Sequence, residues 1–386
     1  MPGTLGHQML PDEARLLFPA TKDLVYLQHA GLSLLSVRTR DAVSEVARAS
    51  SESPDWPAYH DDWEGLRSSL AAMIGVSADE VTLTRGTGHG VSIAARGVRW
   101  DPGDNVVSIR GEFPTNVFPW TVLGPYGVEL RLADTVDGRI DPEAVFALVD
   151  ARTRVVSLSW VQFWNGYRAD LAVIGRECRR RGILFAVDAI QGLGALRLDA
   201  VAAHIDVLAC GGSKWLLGPP GSGFCYVRAG IMDELLPPLV GGGTVNIVQG
   251  VPLEDQHEMK PNARRFEESA VSWFDIAALL AGVRLLEEAG LDEVESRVLG
   301  LARRLGDGLA DRGFQMIEPW PRSVEESSGI VAIRPKTPAP EAVQRLADAG
   351  VTVRLLRDTV RFSTHFFNTE DELDRVLTIM EANVEA

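Results

Sequence analysis

The stretch Ala209-Cys210-Gly211-Gly212-Ser213-Lys214-Trp215-Leu216-Leu217-Gly218 sets a lysine between a glycine pair and an apolar run. Twenty-six positions earlier, the apolar segment Ile183–Val187 ends in an acid, Asp188. A lysine in such surroundings loses hydration, so its amine is more readily neutral and becomes a usable nucleophile toward an aldehyde. An acid closing an apolar strand suits the matching task of holding a proton on a pyridine nitrogen. Together the two residues point to pyridoxal 5'-phosphate (PLP) chemistry, with Lys214 as Schiff-base lysine and Asp188 as partner of the ring nitrogen.

Outward from this stretch, short apolar runs alternate with helix-period segments. Strands are predicted at Val81–Arg85, Asn105–Ile109, Val128–Leu132, Val155–Trp160, Leu184–Asp188, Val207–Cys210 and Gly223–Val227. Helices are predicted at Asp61–Ile74, Gly90–Val98, Pro142–Val149 and Asp170–Arg181. This alternation predicts an α/β fold with a mostly parallel seven-stranded sheet covered by helices on both faces. Ligands of such sheets sit beyond the carboxyl ends of the strands, where Asp188 and Lys214 fall. Residues 240–264 are rich in Gly, Pro and charge and read as a long functional loop. Beyond it, helices at Phe274–Glu288, Val294–Asp311, Glu341–Ala349 and from Glu370, with strands near Ile330–Ile333 and Thr352–Leu355, form a smaller α+β lobe. The expected division is an arm at 1–24, a large cofactor-binding domain at 25–264 and a C-terminal part at 265–386.

The formal net charge of −15 disfavours nucleic acid and anionic membranes as partners. No apolar run reaches the roughly 18 residues a membrane span needs, and Asp12, Glu13 and Arg15 occupy the place of a secretory core. Three scattered cysteines, Cys178, Cys210 and Cys225, exclude a disulfide framework or a zinc site and fit a cytoplasmic location. Gly192-Leu193-Gly194-Ala195-Leu196-Arg197 lacks the third glycine of a dinucleotide-binding turn, and no Walker-type phosphate loop occurs.

Val187-Asp188-Ala189-Ile190-Gln191, Asp206, Ser213-Lys214 and the turn Gly218-Pro219-Pro220-Gly221-Ser222-Gly223 follow one another in an order that resembles the class V aminotransferase and cysteine desulfurase family of fold-type-I PLP enzymes. Arg85-Gly86-Thr87, Glu112-Phe113-Pro114, Gly241-Gly242-Gly243, Arg265-Phe266-Glu267 and Arg361-Phe362-Ser363 extend the resemblance from about Val25 to the last helix. It implies that Gly86, Thr87 and Gly88, opening a helix after a strand, take the cofactor phosphate, with Ser213 and Thr244 as further hydroxyl contacts. Phe113 stands where many relatives stack a histidine on the pyridine ring. Gln191, and either Gln162 or Asn165, are implied at the phenolic oxygen or the imine. Arg361 matches the arginine that forks onto the substrate α-carboxylate, with Arg354 as the alternative. Trp56, Tyr59, His60, Phe163, Trp164 and His365 are candidates for the mouth of the site, and of these His60 and Trp164 are taken as substrate-binding. No metal is expected. A homodimer with sites near its interface is implied, residues 240–264 reaching across.

Three positions depart from that pattern. Ser213 replaces a histidine. Ala270 replaces the threonine that reaches the partner's phosphate, leaving Ser269, Ser272 or Thr244 to substitute. The segment Arg354–Arg361 has no cysteine where desulfurases carry their nucleophile. The expected reaction is therefore C–S β-lysis of an S-substituted cysteine or its sulfoxide, as in lyases resembling those for hercynylcysteine sulfoxide or for conjugates in thiol-antibiotic pathways. The products are thiol or sulfenate, pyruvate and ammonia. The alternatives are decarboxylation with oxidative deamination to an S-linked aldehyde, or transamination or epimerisation.

Overall fold

A computed structural model describes residues 9–53, 60–269 and 271–382. Its strands are β1 (Val25–Tyr26), β2 (Val81–Thr84), β3 (Asn105–Ile109), β4 (Glu129–Ala133), β5 (Thr153–Ser159), β6 (Leu184–Asp188), β7 (Val207–Gly211), β8 (Gly223–Val227), β9 (Gln315–Met316), β10 (Ile330–Arg334), β11 (Val351–Thr352), β12 (Arg354–Leu356) and β13 (Thr359–Ser363). Seven of them form one sheet in the order β2-β8-β7-β6-β5-β3-β4. Every neighbouring pair is parallel except β2–β8 and β7–β8, so β8 alone runs against the rest. The predicted α/β sheet is thus the observed one. The inner strands β3, β7 and β8 are buried throughout, as strands covered on both faces must be.

Two apolar cores flank this sheet. One joins Leu66, Leu70, Val156, Leu158, Phe185 and Val187 to the helix Trp273–Ala289. The other packs the helix Thr87–Gly97 against Val155, Ala186, Ala209 and Cys225. Gly90 permits that approach, since a Cβ there would lie 2.6 Å from the Ala209 Cβ. A third core gathers Val25 and Leu27 with Leu301, Leu305, Val331, Phe362 and Leu373. It lies under the antiparallel sheet β12-β13-β10-β9, while β1 pairs in parallel with β11.

One sizeable helix, Val37–Glu52, was absent from the expected set. Its interior buries only Thr39 and Val46, so the apolar stripe that signals a helix is thin. Ser36 starts it, its Oγ accepting from the Thr39 N–H at 3.1 Å. Residues 240–264 carry little regular structure beyond the short turn Leu253–Asp255, the start of the turn Ala263–Phe266 and a bridge between Val245 and Met259. Among the described residues no helix is long and apolar enough to cross a membrane.

Candidate active site

Five strand ends open on the same side of the sheet. β2 leads to Gly86-Thr87-Gly88, β3 to Glu112-Phe113, and β5 to Gln162–Asn165; β6 ends at Asp188, and β7 leads to Ser213-Lys214. Lys214 is half-buried, while Trp215, Leu216 and Leu217 behind it are fully buried. That apolar wall anchors the turn, and the carbonyl of Lys214 accepts from Leu217 N at 3.1 Å. Gly212 is needed beside it, because a Cβ would come 2.3 Å from Ser222 Oγ. Burial lowers the amine's pKa, the Asp188 charge opposes that shift, and Arg361 adds to it. No hydrogen bond or ion pair among the described residues fixes Nζ, which lies 5.6 Å from the centroid of the Phe113 ring.

Asp188 is 3% exposed, and its Oδ1 accepts from Ile190 N at 3.0 Å. Burial pushes its carboxyl well above the usual range, and the neighbouring Glu112 pushes the same way. Glu112 is itself buried and raised by desolvation. Its oxygens accept from Ser159 N at 2.6 Å, from Ser159 Oγ and from Gln162 Nε2 at 3.2 Å. In the sequence Glu112 stands out only as part of the motif Glu112-Phe113-Pro114. Its sole outward signal is an acid between a strand and Phe-Pro.

The amides at the site separate by their partners. Asn165 spends both ends locally, Nδ2 on the Gly138 carbonyl at 2.9 Å and Oδ1 on Tyr167 N at 3.0 Å. Gln162 keeps its oxygen and one N–H beyond the bond to Glu112, so of the two it has the freer donor. Gln191 donates to the Ala30 carbonyl at 2.9 Å and accepts from Trp215 Nε1 at 3.2 Å, leaving one N–H. Phe113 is 40% exposed and meets Phe163 edge-on, centroids 5.1 Å apart. Trp164 is half-buried over Gly111 and Gly138.

Gly86 caps the helix Thr87–Gly97 at φ +138°, with no side-chain cap. The first N–H groups of that helix are therefore free of side-chain partners, and its N-terminal end carries partial positive charge. Thr87 Oγ1 accepts from Gly211 N at 2.9 Å and retains its own proton to donate. Ser213 is half-buried, and its carbonyl accepts from Ser33 N at 2.9 Å. Thr244 is fully buried, its hydroxyl accepting from Gly241 N at 3.1 Å within its own turn. No described contact joins Thr244 to Lys214 or Asp188.

Arg361 is 3% exposed and donates Nη1 to the Phe163 carbonyl at 2.5 Å, with its Nε buried and unpartnered. It therefore joins the β5 loop to β13 at the cleft. His365 does not stand at the mouth. It is fully buried, Nε2 against the Trp215 carbonyl at 3.2 Å and Nδ1 accepting from Phe366 N at 2.9 Å. The helix Ile74 closes begins at His60, whose side chain lies outside the described atoms, and Trp56, Tyr59 and Ala270 lie outside the described residues. The turn Gln28–Ser36 was missed altogether. Through Ala30 and Ser33 it ties the Gln191 and Ser213 loops to Ser363 Oγ, which accepts from Ala30 N at 2.9 Å.

These residues fit PLP. A buried acid with one unengaged oxygen asks for a proton-bearing partner, a lysine of lowered pKa offers the amine, an aromatic ring flanks it, and an uncapped helix start suits a phosphate. Among the described residues no cluster of His, Cys, Asp and Glu is arranged to hold a metal ion.

The sequence pattern of the class V aminotransferases matches residues 39–376. A probable cysteine desulfurase of Methanothermobacter thermautotrophicus is 27% identical over an alignment of 392 positions that covers 95% of this chain and 96% of that protein. The apo structure of a cysteine desulfurase from Thermococcus onnurineus NA1 superposes with a TM-score of 0.89 at 24% identity, covering all of both chains. The cystine C–S lyase C-DES, solved with its product cysteine persulfide, gives a TM-score of 0.86 at 22% identity over 94% of this chain and 99% of its own. A variant of C-DES has been solved with glycine covalently linked to the PLP cofactor. At these identities the structural likeness is one of fold.

Proposed function

The chain belongs to the class V aminotransferase family, and on that premise we propose that it is a PLP-dependent C–S β-lyase acting on an S-substituted cysteine or its sulfoxide. The observation that carries the reaction type is where its sulfur atoms lie. All three cysteines are fully buried in or beside the sheet, and desolvation raises each thiol well above its ordinary pKa. The β12–β13 hairpin, beside Arg361, turns through Arg357-Asp358 alone. No thiolate is thus at hand to carry off sulfur, so the substrate's own sulfur substituent is the leaving group.

When bound, PLP supplies an electron sink for the pair left on Cα when a bond there breaks. Lys214 would hold the cofactor through its aldehyde, and its amine, when free, would be the base for the Cα proton. Asp188 would keep a proton on the ring nitrogen. Arg361 would orient the α-carboxylate, and Gln162, steadied by Glu112, would offer an N–H to the phenolic oxygen. The Cβ–S bond breaks with its electron pair on sulfur. Water then converts the three-carbon remainder to pyruvate and ammonia.

Purified enzyme is to be mixed with a panel of S-alkyl cysteines and their sulfoxides, with pyruvate assayed by coupled reduction. Pyruvate in step with released thiol is expected, and Lys214→Ala should remove both the pyruvate and the yellow colour. Absence of pyruvate from every conjugate rejects the lyase reading. A product that retains sulfur, seen by mass spectrometry, would favour decarboxylation and deamination instead.

The working unit is proposed to be a homodimer in the cytoplasm. Exposed apolar side chains along 240–253, among them Val240, Ile247 and Leu253, support a covered surface there. Three unpaired thiols support a reducing compartment.

A further inference from the structure

The hairpin that carries Arg361 also sets a second arginine in register with it. In the antiparallel pair β12–β13, Arg354 stands directly opposite Arg361, which puts both side chains on one face. Like charges so placed repel. Arg354 is exposed, and among the described residues it has neither a hydrogen bond nor an ion pair. The acid of the same hairpin, Asp358, is taken by Arg334 Nε at 2.8 Å. Arg361 satisfies one N–H on the Phe163 carbonyl and leaves its Nε orphaned in the buried cleft.

The charges form a series. Lys214 is influenced by Arg361, and Arg361 has its pKa lowered to about 10, by burial first and by the charge of Arg354 second. The acid acting on this series, Asp188, acts at its Lys214 end. One α-carboxylate on Arg361 leaves Arg354 uncompensated, so the protein alone tolerates an unfavourable arrangement that a second anion would relieve.

We propose that Arg361 and Arg354 form a two-anion site, with the α-carboxylate on Arg361 and, on Arg354, an acidic group at the far end of the substrate's sulfur substituent. This rests on the preceding reading of an amino-acid cleft and narrows its substrate class to cysteine conjugates whose side chain ends in a carboxylate or a sulfonate. Guanidinium suits either anion, since its planar fork makes two parallel hydrogen bonds.

The test uses holoenzyme and two near-isosteric ligands, S-carboxymethylcysteine and S-ethylcysteine, titrated by the change in the cofactor's visible absorption and by the shift in thermal midpoint. An S-(2-sulfoethyl) cysteine arm separates sulfonate from carboxylate. The acidic ligands should bind at least about tenfold more tightly than S-ethylcysteine, as a charge-assisted pair implies. Arg354→Gln should bring that ratio close to one, and Arg354→Lys should restore part of it. Equal affinity of all three ligands for the wild type, no saturable binding of the acidic ones, or an unchanged ratio in Arg354→Gln each overturn the proposal. Because binding is read rather than bond cleavage, the result stands apart from the pyruvate assay, whose failure would reject the lyase reading alone.

Discussion

Single residues here are governed by what burial does to charge. His365 is fully buried and its pKa is lowered to about 4 by desolvation, while the backbone contact to Trp215 partly opposes that. His29, 5.2 Å away ring to ring, is lowered by burial and by His365. Both are neutral in the folded chain near pH 7. An unfolded chain takes up protons on them below about pH 6.5, so stability falls as pH drops below 6.5, and the His365 contribution levels off below about pH 4. For His365 the loss between pH 7.5 and 5 is about 2 kcal/mol. Urea unfolding of wild type and His365→Gln at these two pH values should show a smaller fall in the variant; parallel falls would refute a neutral His365. Lys214 and Asp188 were legible in the sequence because the local pattern itself, a charge inside an apolar run, announces burial. His365 was not, since Thr-His-Phe-Phe reads equally well as rim or core.

At the scale of elements, Gly192-Leu193-Gly194 shows how a motif acquires its meaning from what packs on it. A Cβ on Gly192 would lie 2.4 Å from the Trp160 ring. Gly194 has φ +99°, and its Cβ would lie 2.3 Å from the Trp215 carbonyl oxygen, one residue past Lys214. The glycines therefore shape the bed of the lysine turn rather than a nucleotide loop. Gly194→Ala should reduce retained cofactor, read as visible absorbance relative to 280 nm, and destabilise the fold by roughly 1 kcal/mol or more. Wild-type values of both would remove this turn from the site's architecture. Arg265-Phe266-Glu267 is likewise an anchor: Glu267 receives the buried Arg67 at 2.8 Å and the Leu83 N–H at 2.8 Å, fixing β2 ahead of the Gly86–Gly88 turn. The strands were readable from apolar runs of four to seven residues, whereas the Val37–Glu52 helix, with so little to bury, was not.

Over the whole molecule, exposed apolar groups collect on the long segment after β8. Val240 is 69%, Ile247 59% and Leu253 74% exposed, more than an isolated chain would be expected to leave together. Sedimentation velocity should give about twice the chain mass of 41.9 kDa, and Ile247→Glu with Val248→Asp should shift the population toward monomer. A wild-type monomer of full activity would contradict the dimer. The parallel α/β frame, the buried settings of Lys214 and Asp188 and the glycine turn that opens the helix Thr87–Gly97 follow from the amino-acid order alone, because each depends on periodicity or on neighbours within a few residues. What only the folded chain decided depends on groups far apart in sequence. Gln191 meets Ala30 across 161 positions, and Arg361 meets Phe163 across 198. Asn165 is committed by Gly138, and Arg354 faces Arg361 through strand register. A hydrogen bond of this kind leaves no local pattern, since either partner is an ordinary polar residue until the chain closes and water is excluded from between them.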